Sequence, residues 1–186
     1  MTRLFAEILL SMENDDLQVM ARDMISVIPD YFWHVPASST GKYHPSYALG
    51  EGGLARHTVA VVRFLNHIFG IQCFKNRWTS RERDLLRIAA MMHDTFKSGS
   101  QAEYEQNKYT KHEHPMLAAQ AVMKFCDKYD AEEVKFIAIC IESHMGEWNT
   151  SPRSDVVLPT PKEKSQQILH LADYLASRKD IEVLFS

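Results

Sequence analysis

The apolar residues recur at helical spacing along almost the whole chain. Residues at i, i+3, i+4 and i+7 share one face of an α-helix, so an apolar stripe with that period predicts a helix packed against a core. Seven segments show the pattern: residues 2–12, 15–28, 52–68, 80–94, a segment beginning at His114-Pro115, 130–144 and 160–178. No segment shows the convincing apolar–polar alternation of a strand. The pattern therefore predicts an all-α fold of about seven helices in one compact domain, residues 1–186.

Several of these helices begin at a recognisable start signal. Thr79 with a glutamate three residues later has the spacing of a capping box. Thr160-Pro161 places a good N-cap residue before a proline at the first helical position. The segments between helices, which we predict to be loops, include residues 29–51, 95–112 and 146–159. Long loops inside compact domains are often functional.

Six polar residues of metal-binding type extend or border the apolar rows. They are His57, His93, Asp94, His114, His144 and Asp173, and the pattern places all of them on helices. A lone histidine on an apolar face is more often a satisfied core residue than a ligand, but two carboxylates buried together need cations. Imidazole and carboxylate suit iron, manganese, zinc, nickel or cobalt. Six such ligands are enough for two divalent ions that share a bridging carboxylate.

The adjacent pair His93-Asp94 is the centre of the predicted site. Neighbouring helical residues diverge by about 100°, so the two side chains can approach one metal cluster from different angles. Lys97 follows one turn later, where its ammonium could reach a phosphate oxygen beside the metals without competing for them. His112, two residues before His114, is the alternative ligand at that position.

Other residues have two open interpretations. His44 and Tyr43 lie in the first predicted loop, which could line a substrate pocket or be purely structural. His170 could support the ligands through a hydrogen bond or be a packing residue. Trp33 and Trp148 could stack on a nucleobase, although packing roles are more common for tryptophan.

Composition and charge narrow the setting of this site. Hydrophobic residues make up 45% and charged residues 24%, which is an ordinary globular balance. With a net charge of -3, nucleic-acid binding would need a local basic patch. The candidate residues for such a patch, interpreted instead as a solvated helix face, are Arg77, Arg81, Arg83 and Arg87.

The compartment is predicted from what the sequence lacks. No apolar run approaches the ~20 residues of a membrane span, and the N-terminus has no small-residue cleavage site. The three cysteines are far apart, which argues against a disulfide framework or a cysteine-bound zinc. We therefore expect a cytoplasmic protein with no membrane partner. The sequence does not predict the oligomeric state.

The ordered set of six residues, together with Lys97, resembles the HD-domain superfamily of metal-dependent phosphohydrolases. The segment HDTFKSG at 93–99 is similar to the family's HDxxKxG motif. Further matches are GGLARHT at 52–58, EHPMLAA at 113–119, SHMGEW at 143–148 and LADYLASR at 171–178. Residues Pro36–Thr58 are most similar to the HD part of bacterial 3′→5′ exoribonucleases. The resemblance covers about residues 33–180 and leaves 1–32 as an N-terminal helical extension.

The resemblance implies a compact helical fold that holds two divalent ions, drawn from manganese, iron, nickel, cobalt, zinc or magnesium. The basic metal site would consist of His57, His93, Asp94 and Asp173. His114 and His144 would hold a second ion, and Asp94 would bridge the two. Asp94 and Lys97 are the predicted catalytic residues. Lys97 and His44 are the predicted substrate-binding residues.

The predicted activity is hydrolysis of a nucleotide-like phosphomonoester or phosphodiester by a metal-activated water, with Lys97 steadying the developing charge. The exoribonucleases carry an additional nucleic-acid-binding domain for which this chain has no room. We therefore expect a nucleotide or a short phosphodiester rather than a long nucleic acid. Two alternatives stay open: a di-iron oxygenase of the same superfamily, and a non-enzymatic nucleotide-binding module. Lys97 favours hydrolysis, and the complete ligand set argues against the binding module.

Overall fold

The structure is a computed structural model that describes residues 3–38, 41 and 44–185. Within those residues the chain is helical and contains no strand. The helices are α1 (Arg3–Leu10), α2 (Asp15–Ile25), α3 (Gly53–Gly70), α4 (Ser80–Met92), α5 (Gln101–Gln106), α6 (His114–Met123), α7 (Ala131–Glu142) and α8 (Lys164–Ala176). Two short 3-10 helices, Asp30–Trp33 and Ser46–Ala48, lie between α2 and α3. The prediction of an all-α fold is confirmed.

Helix α5 is the element that the hydrophobic pattern does not predict. Residues 95–112 are not a loop throughout, because six of them form this helix. Its start is a capping box in which Ser100 accepts a hydrogen bond from the Glu103 amide and the Glu103 side chain bonds the Ser100 amide. The predicted capping box at Thr79 is confirmed at the start of α4. No residue of α5 is buried, so the helix has no apolar stripe by which the sequence could reveal it.

Helix α8 begins later than predicted. Thr160-Pro161 precedes the helix, and Glu163 is the N-cap residue. The side-chain oxygen of Gln166 accepts hydrogen bonds from the amides of Lys162 and Glu163. The helix start is therefore capped from inside its first turn, and the proline belongs to the preceding loop.

Helices α3, α4 and α7 form the centre of the bundle. α3 packs against α8 and α4, and α7 packs against α6 and α4. Their shared core is aliphatic, with Leu65, Leu86, Ile88 and Ile137 fully buried. Burying a side chain of this size contributes about 1.5–3 kcal/mol. The helices that carry the predicted ligands are thus fixed to one another by a common core.

The N-terminal helices lie on this centre. α1 packs against α3, and α2 packs against α4. Phe5, Leu17 and Met24 are fully buried in the same core cluster. The two helices therefore cover part of the bundle and bury their apolar faces within this chain.

Three of the four arginines of the predicted solvated face, Arg81, Arg83 and Arg87, are engaged in ion pairs. Arg81 contacts Glu133 and Asp16. Arg87 is buried and pairs with Asp84, so its interpretation as a solvated residue is wrong. The apolar stripe of α4 gives no sign of this pair, because both residues lie beside the stripe rather than in it.

A glycine allows the loop before α3 to approach that helix closely. A Cβ atom at Gly53 would lie 2.3 Å from the carbonyl oxygen of Ala48, a distance that no other residue could accommodate. The approach helps to place the described part of this loop beside the start of α3. The ring of His44 then lies 5.6 Å from the ring of His57, measured between centroids. Tyr43 lies outside the described residues.

The structure bears on two further predictions, those about the cysteines and about membrane spans. Cys73, Cys126 and Cys140 are all free thiols. Across the described ranges, no helix combines the length and the apolar character that a membrane crossing requires.

Candidate metal centre

The six predicted ligands converge on one small volume. They form three overlapping groups in which the ligand atoms lie within 4.8 Å of one another: His57–His93–Asp94, His93–His144–Asp173 and Asp94–His114–His144. Asp173 is the most exposed member, with 17% of its side chain accessible, and the other five are buried. The structure therefore brings together residues from five helices or helix ends.

Asp94 lies at the centre of the cluster and presents its two carboxylate oxygens to different histidines. Oδ2 lies 3.8 Å from His57 Nε2 and 3.7 Å from His93 Nε2. Oδ1 lies 3.0 Å from His114 Nε2 and 3.7 Å from His144 Nε2. This division is the arrangement that a carboxylate bridging two cations requires.

Three of the histidines have the same orientation, which leaves Nε2 directed at the cluster. The Nδ1 atoms of His93, His114 and His144 each lie 2.7 Å from a backbone carbonyl oxygen three residues earlier in the chain. An Nδ1–H that donates to a carbonyl fixes the neutral tautomer and leaves the Nε2 lone pair free for a metal.

The helix ends explain this orientation and correct one prediction. His93 caps α4, Asp94 follows it, and His144 follows the end of α7, so these residues are not within helices. Carbonyls in the last turn of a helix lack amide partners. The imidazole of His93 bonds the carbonyl of Ala90, and that of His144 bonds the carbonyl of Ile141, which also accepts from the His144 amide at 3.3 Å.

His57 and Asp173 complete the cluster from α3 and α8. His57 Nε2 lies 3.0 Å from Asp173 Oδ1, and His93 Nε2 lies 3.7 Å from the same oxygen. Unlike the other three histidines, His57 has a buried Nδ1 with no hydrogen-bond partner among the described residues. His57 is therefore less firmly oriented than the histidines that bond a carbonyl.

The donor set fits a divalent metal by a test that needs no bound ion. Three atoms directed into the cluster are buried and lack a hydrogen-bond partner among the described residues: His93 Nε2, Asp94 Oδ1 and His114 Nε2. His114 Nε2 and Asp94 Oδ1 are 3.0 Å apart, yet neither is paired by a hydrogen bond. Buried polar groups are nearly always paired. Three unpaired atoms in one cluster, all of metal-binding type, are expected where a cation is the missing partner.

The electrostatics of the cluster keep the carboxylates ionised. Burial alone would raise the pKa of Asp94, but Lys97, His93 and His114 hold it well below its usual range. Burial likewise opposes ionisation of Asp173, and contacts with His57 and His93 hold its pKa well below the ordinary value. Both residues therefore present anionic oxygens, which is the form that binds a metal.

The pKa values of His93 and His144 are shifted in opposite directions. Burial would lower the pKa of His93, but the neighbouring charges of Asp94 and Asp173 raise it. Burial, reinforced by His93, lowers the pKa of His144 to about 3. His144 is accordingly neutral, as a metal ligand must be.

A cavity of about 410 Å³ opens onto this cluster. Its wall includes the predicted substrate-binding residues His44 and Lys97, together with the ligands His57, Asp94 and Asp173. Burial lowers the pKa of His44 to about 4, so this imidazole is neutral. The geometry is that of a concave pocket in which polar side chains of metal-binding type converge, and small-molecule sites are usually concave with a few such convergent polar groups.

Lys97 lies closer to the ligands than predicted. Its Nζ lies 2.5 Å from Asp94 Oδ2, so the ammonium contacts a predicted ligand oxygen as well as the cavity. The distance follows from the turn after α4, in which the Lys97 amide bonds the Asp94 carbonyl at 3.1 Å.

The structure distinguishes two other histidines, His112 and His170, from the six predicted ligands. His112 Nε2 lies 3.1 Å from the carbonyl oxygen of Val156, and His112 belongs to none of the three ligand groups. His170 Nδ1 lies 2.7 Å from the carbonyl oxygen of His144, so His170 supports a predicted ligand through its backbone. The arrangement favours His114 over His112 and the supporting role over simple packing for His170.

Three residues of the cavity wall were not singled out by the sequence: Met145, Ser177 and Arg178. Met145 follows His144 directly, and Ser177 and Arg178 lie one turn after Asp173. Their spacing from predicted ligands is the signal that could have found them, because neighbours one turn along a helix line the same space.

Comparison with known proteins identifies the family to which the chain is similar. A family model described as HD domain matches residues 54–178. The matched region contains all six predicted ligands and Lys97, and it begins after His44. Comparison with curated proteins finds no match, and comparison with solved structures finds none either.

Proposed function

The chain belongs to the HD domain family, and we propose that it is a metal-dependent phosphohydrolase acting on a nucleotide-like phosphomonoester or phosphodiester. One observation carries the proposal. Imidazole and carboxylate groups of six residues, several with buried atoms that lack a hydrogen-bond partner among the described residues, converge beside a cavity whose wall also carries a lysine. Phosphoryl transfer needs cations around the phosphate and a positioned water, and these six residues are of the type that would hold such cations.

The two faces of Asp94 support a division into two ion sites. His57, His93 and Asp173 would join Oδ2 of Asp94 around one ion, and His114 and His144 would join Oδ1 around the other. Divalent ions bound there would neutralise phosphate charge and lower the pKa of a coordinated water. The carbonyl bonds to Nδ1 keep three of the imidazoles oriented for this task.

The chain's own contribution is to orient the substrate and to stabilise charge. We propose that Lys97 moves from its contact with Asp94 to an oxygen of the substrate phosphate, because its ammonium lines the same cavity. His44 is neutral and lines the cavity, with its ring 5.6 Å from that of His57, so we propose that it contacts the substrate by hydrogen bonding rather than by charge.

The direct test is turnover by metal-loaded protein. Protein loaded in turn with manganese, iron, cobalt, nickel, zinc or magnesium is assayed against nucleotides, cyclic nucleotides, dinucleotides and short oligonucleotides. The oligonucleotides test the closer likeness of residues Pro36–Thr58 to exoribonucleases. We expect phosphate ester hydrolysis that a chelator abolishes. Absence of turnover from every substrate in samples of verified metal content would contradict the proposal, and oxygen uptake by the iron-loaded sample would favour the oxygenase instead.

The role of Lys97 has its own test. We expect Lys97→Ala to lower kcat by about 10²–10³-fold, the usual cost of removing one group that stabilises developing charge. Metal content should stay near that of the wild type, since six ligands remain. If elemental analysis showed that Lys97→Ala had lost its metals, the assigned role would be wrong.

A further inference from the structure

Beyond the metal cluster, two residues of the cavity wall, Trp148 and Arg178, belong to a stack of three side chains that the proposed activity leaves unexplained. The rings of Trp148 and Tyr174 are stacked, with centroids 5.7 Å apart and planes 10° from parallel. The guanidinium carbon of Arg178 lies 4.2 Å from the centroid of the same Tyr174 ring. Trp148 and Arg178 both line the cavity that holds the predicted ligands.

Arg178 lacks the partner that a cavity arginine normally has. Its Nε is buried without a hydrogen bond, and within the described residues no carboxylate pairs with it. A guanidinium held against an aromatic ring is pre-oriented, and its fork of donors matches a phosphate. The unpaired donor therefore indicates an anion as the missing partner.

Trp148 is unusual in the opposite sense, because it is a large aromatic side chain left accessible. It is 44% exposed although it borders a cavity. An accessible indole already stacked on a second ring is a platform on which another planar group can stack. Nucleobases use such platforms, and stacking on an aromatic side chain does not depend on which base is present.

The backbone fixes this stack relative to the metal ligands. Trp148 follows His144 by four residues, and its amide bonds the Met145 carbonyl at 3.1 Å. A Cβ atom at Gly146 would lie 2.2 Å from the His170 ring, so the turn is packed tightly against α8. In α8, Tyr174 follows the predicted ligand Asp173 directly. The segment after α7 and the end of α8 thus each carry one predicted ligand and one part of the stack.

We propose that Trp148, Tyr174 and Arg178 form a nucleoside-phosphate subsite, in which the base stacks on Trp148 and Arg178 binds phosphate oxygens. The inference deepens the proposed function and rests on it for the position of the scissile ester. It assigns the substrate class as esters that carry a planar base, and it excludes sugar phosphates without a base as good substrates.

Binding without turnover tests the subsite. The probe is an analogue of adenosine 5′-monophosphate in which CH₂ replaces the ester oxygen, so that it cannot be hydrolysed. The comparison ligand is ribose 5-phosphate with the same CH₂ replacement, which lacks the base. Calorimetry on manganese-loaded wild type should give roughly tenfold tighter binding of the analogue that carries the base.

Three variants separate the roles. Trp148→Ala should weaken the base-carrying analogue roughly tenfold and leave the base-free analogue unchanged, and Trp148→Phe should restore most of the loss. Arg178→Ala should weaken both analogues by a similar factor of roughly ten. Arg63→Ala is the matched control and should change neither. The guanidinium carbon of Arg63 lies 4.6 Å from the centroid of the Phe185 ring, and Arg63 does not line the cavity.

The outcomes distinguish this inference from the proposed function. Equal binding of the two analogues to wild type, or equal weakening of both by Trp148→Ala, would overturn the subsite. Hydrolysis without base preference would overturn the subsite alone. Preserved base preference in a protein that hydrolyses no ester would leave the subsite standing and overturn the hydrolase. Thermal melting of each variant confirms that it is folded.

Discussion

Asp84 and Asp94 are two buried carboxylates on one stretch of chain, and they are satisfied in opposite ways. Asp84 Oδ2 accepts hydrogen bonds from the amide of Glu13 at 2.8 Å and from the amide of Asn14 at 2.9 Å. The Asn14 side chain adds another at 2.6 Å, and Oδ1 pairs with Arg87. Asp94 has Lys97 on Oδ2, and in the part of the chain that the structure describes its Oδ1 has no hydrogen-bond partner.

The difference separates a structural carboxylate from one suited to a ligand. Asp84 receives fixed donors, two of them backbone amides, and it ties the turn between α1 and α2 to α4. Asp94 is surrounded by imidazoles whose Nε2 atoms carry lone pairs rather than protons wherever Nδ1 bonds a carbonyl. Burial by itself therefore does not indicate function. The informative feature is a buried anion whose neighbours cannot all donate to it.

The largest effect is expected at Asp84. Asp84→Ala leaves the buried Arg87 without its counter-ion and two amides without an acceptor, which should lower the free energy of unfolding by about 3–5 kcal/mol. Urea denaturation of metal-free protein measures this. Asp127→Ala, at an exposed aspartate, is the control and should change stability by less than about 0.5 kcal/mol. A small effect at Asp84 would mean that its donors do not depend on it.

Asp94→Asn should affect metal binding rather than the metal-free fold. Binding of an ion at 100 times its Kd stabilises a protein by about 2.7 kcal/mol. We expect manganese to raise the melting temperature of the wild type and to have no such effect on Asp94→Asn. The comparison between the two carboxylates fails if Asp94→Asn keeps the metal-dependent shift.

A smaller effect should distinguish the two histidines before α6. His114→Gln should lower bound metal toward one ion per chain, because His114 Nε2 faces the second oxygen of Asp94. His112→Gln should leave metal content unchanged, since His112 Nε2 lies 3.1 Å from the Val156 carbonyl and His112 belongs to none of the three ligand groups. Elemental analysis of the paired variants measures this, and loss of metal from His112→Gln instead would reverse the assignment.

The sequence revealed those parts of the molecule that repeat or cluster. Apolar rows predicted the helices of the core, and polar residues bordering those rows were the six that the structure brings together. Arg87–Asp84 stayed hidden, because a buried ion pair beside an apolar stripe looks like part of a solvated face. Arg178 stayed hidden for a different reason. Its spacing from Asp173 indicates only that it could lie near the ligands, and its importance depends on a cavity formed between two helix ends that this spacing does not show.

The smallest effect is expected at a third carboxylate, Glu103, which has its full set of donors but lies at the surface. Its oxygens accept from the amide and hydroxyl of Ser100 at 2.8 and 2.9 Å and contact Lys111. Lys111 and Ser100 lower the pKa of Glu103 from 4.5 to about 2. The ionised form therefore stabilises the fold above pH 4.5, and this contribution is lost as the pH falls toward 2.

Glu103→Gln should consequently be less stable than the wild type near neutral pH by a small amount, and the gap should close on the acid side. Urea midpoints measured between pH 2 and 7 test this, with the wild-type and variant curves converging at the lowest pH. Water screens an exposed ion pair, so several donors at the surface should stabilise far less than those around Asp84. If Glu103→Gln cost as much as Asp84→Ala, donor number rather than burial would set the energy of a carboxylate in this protein.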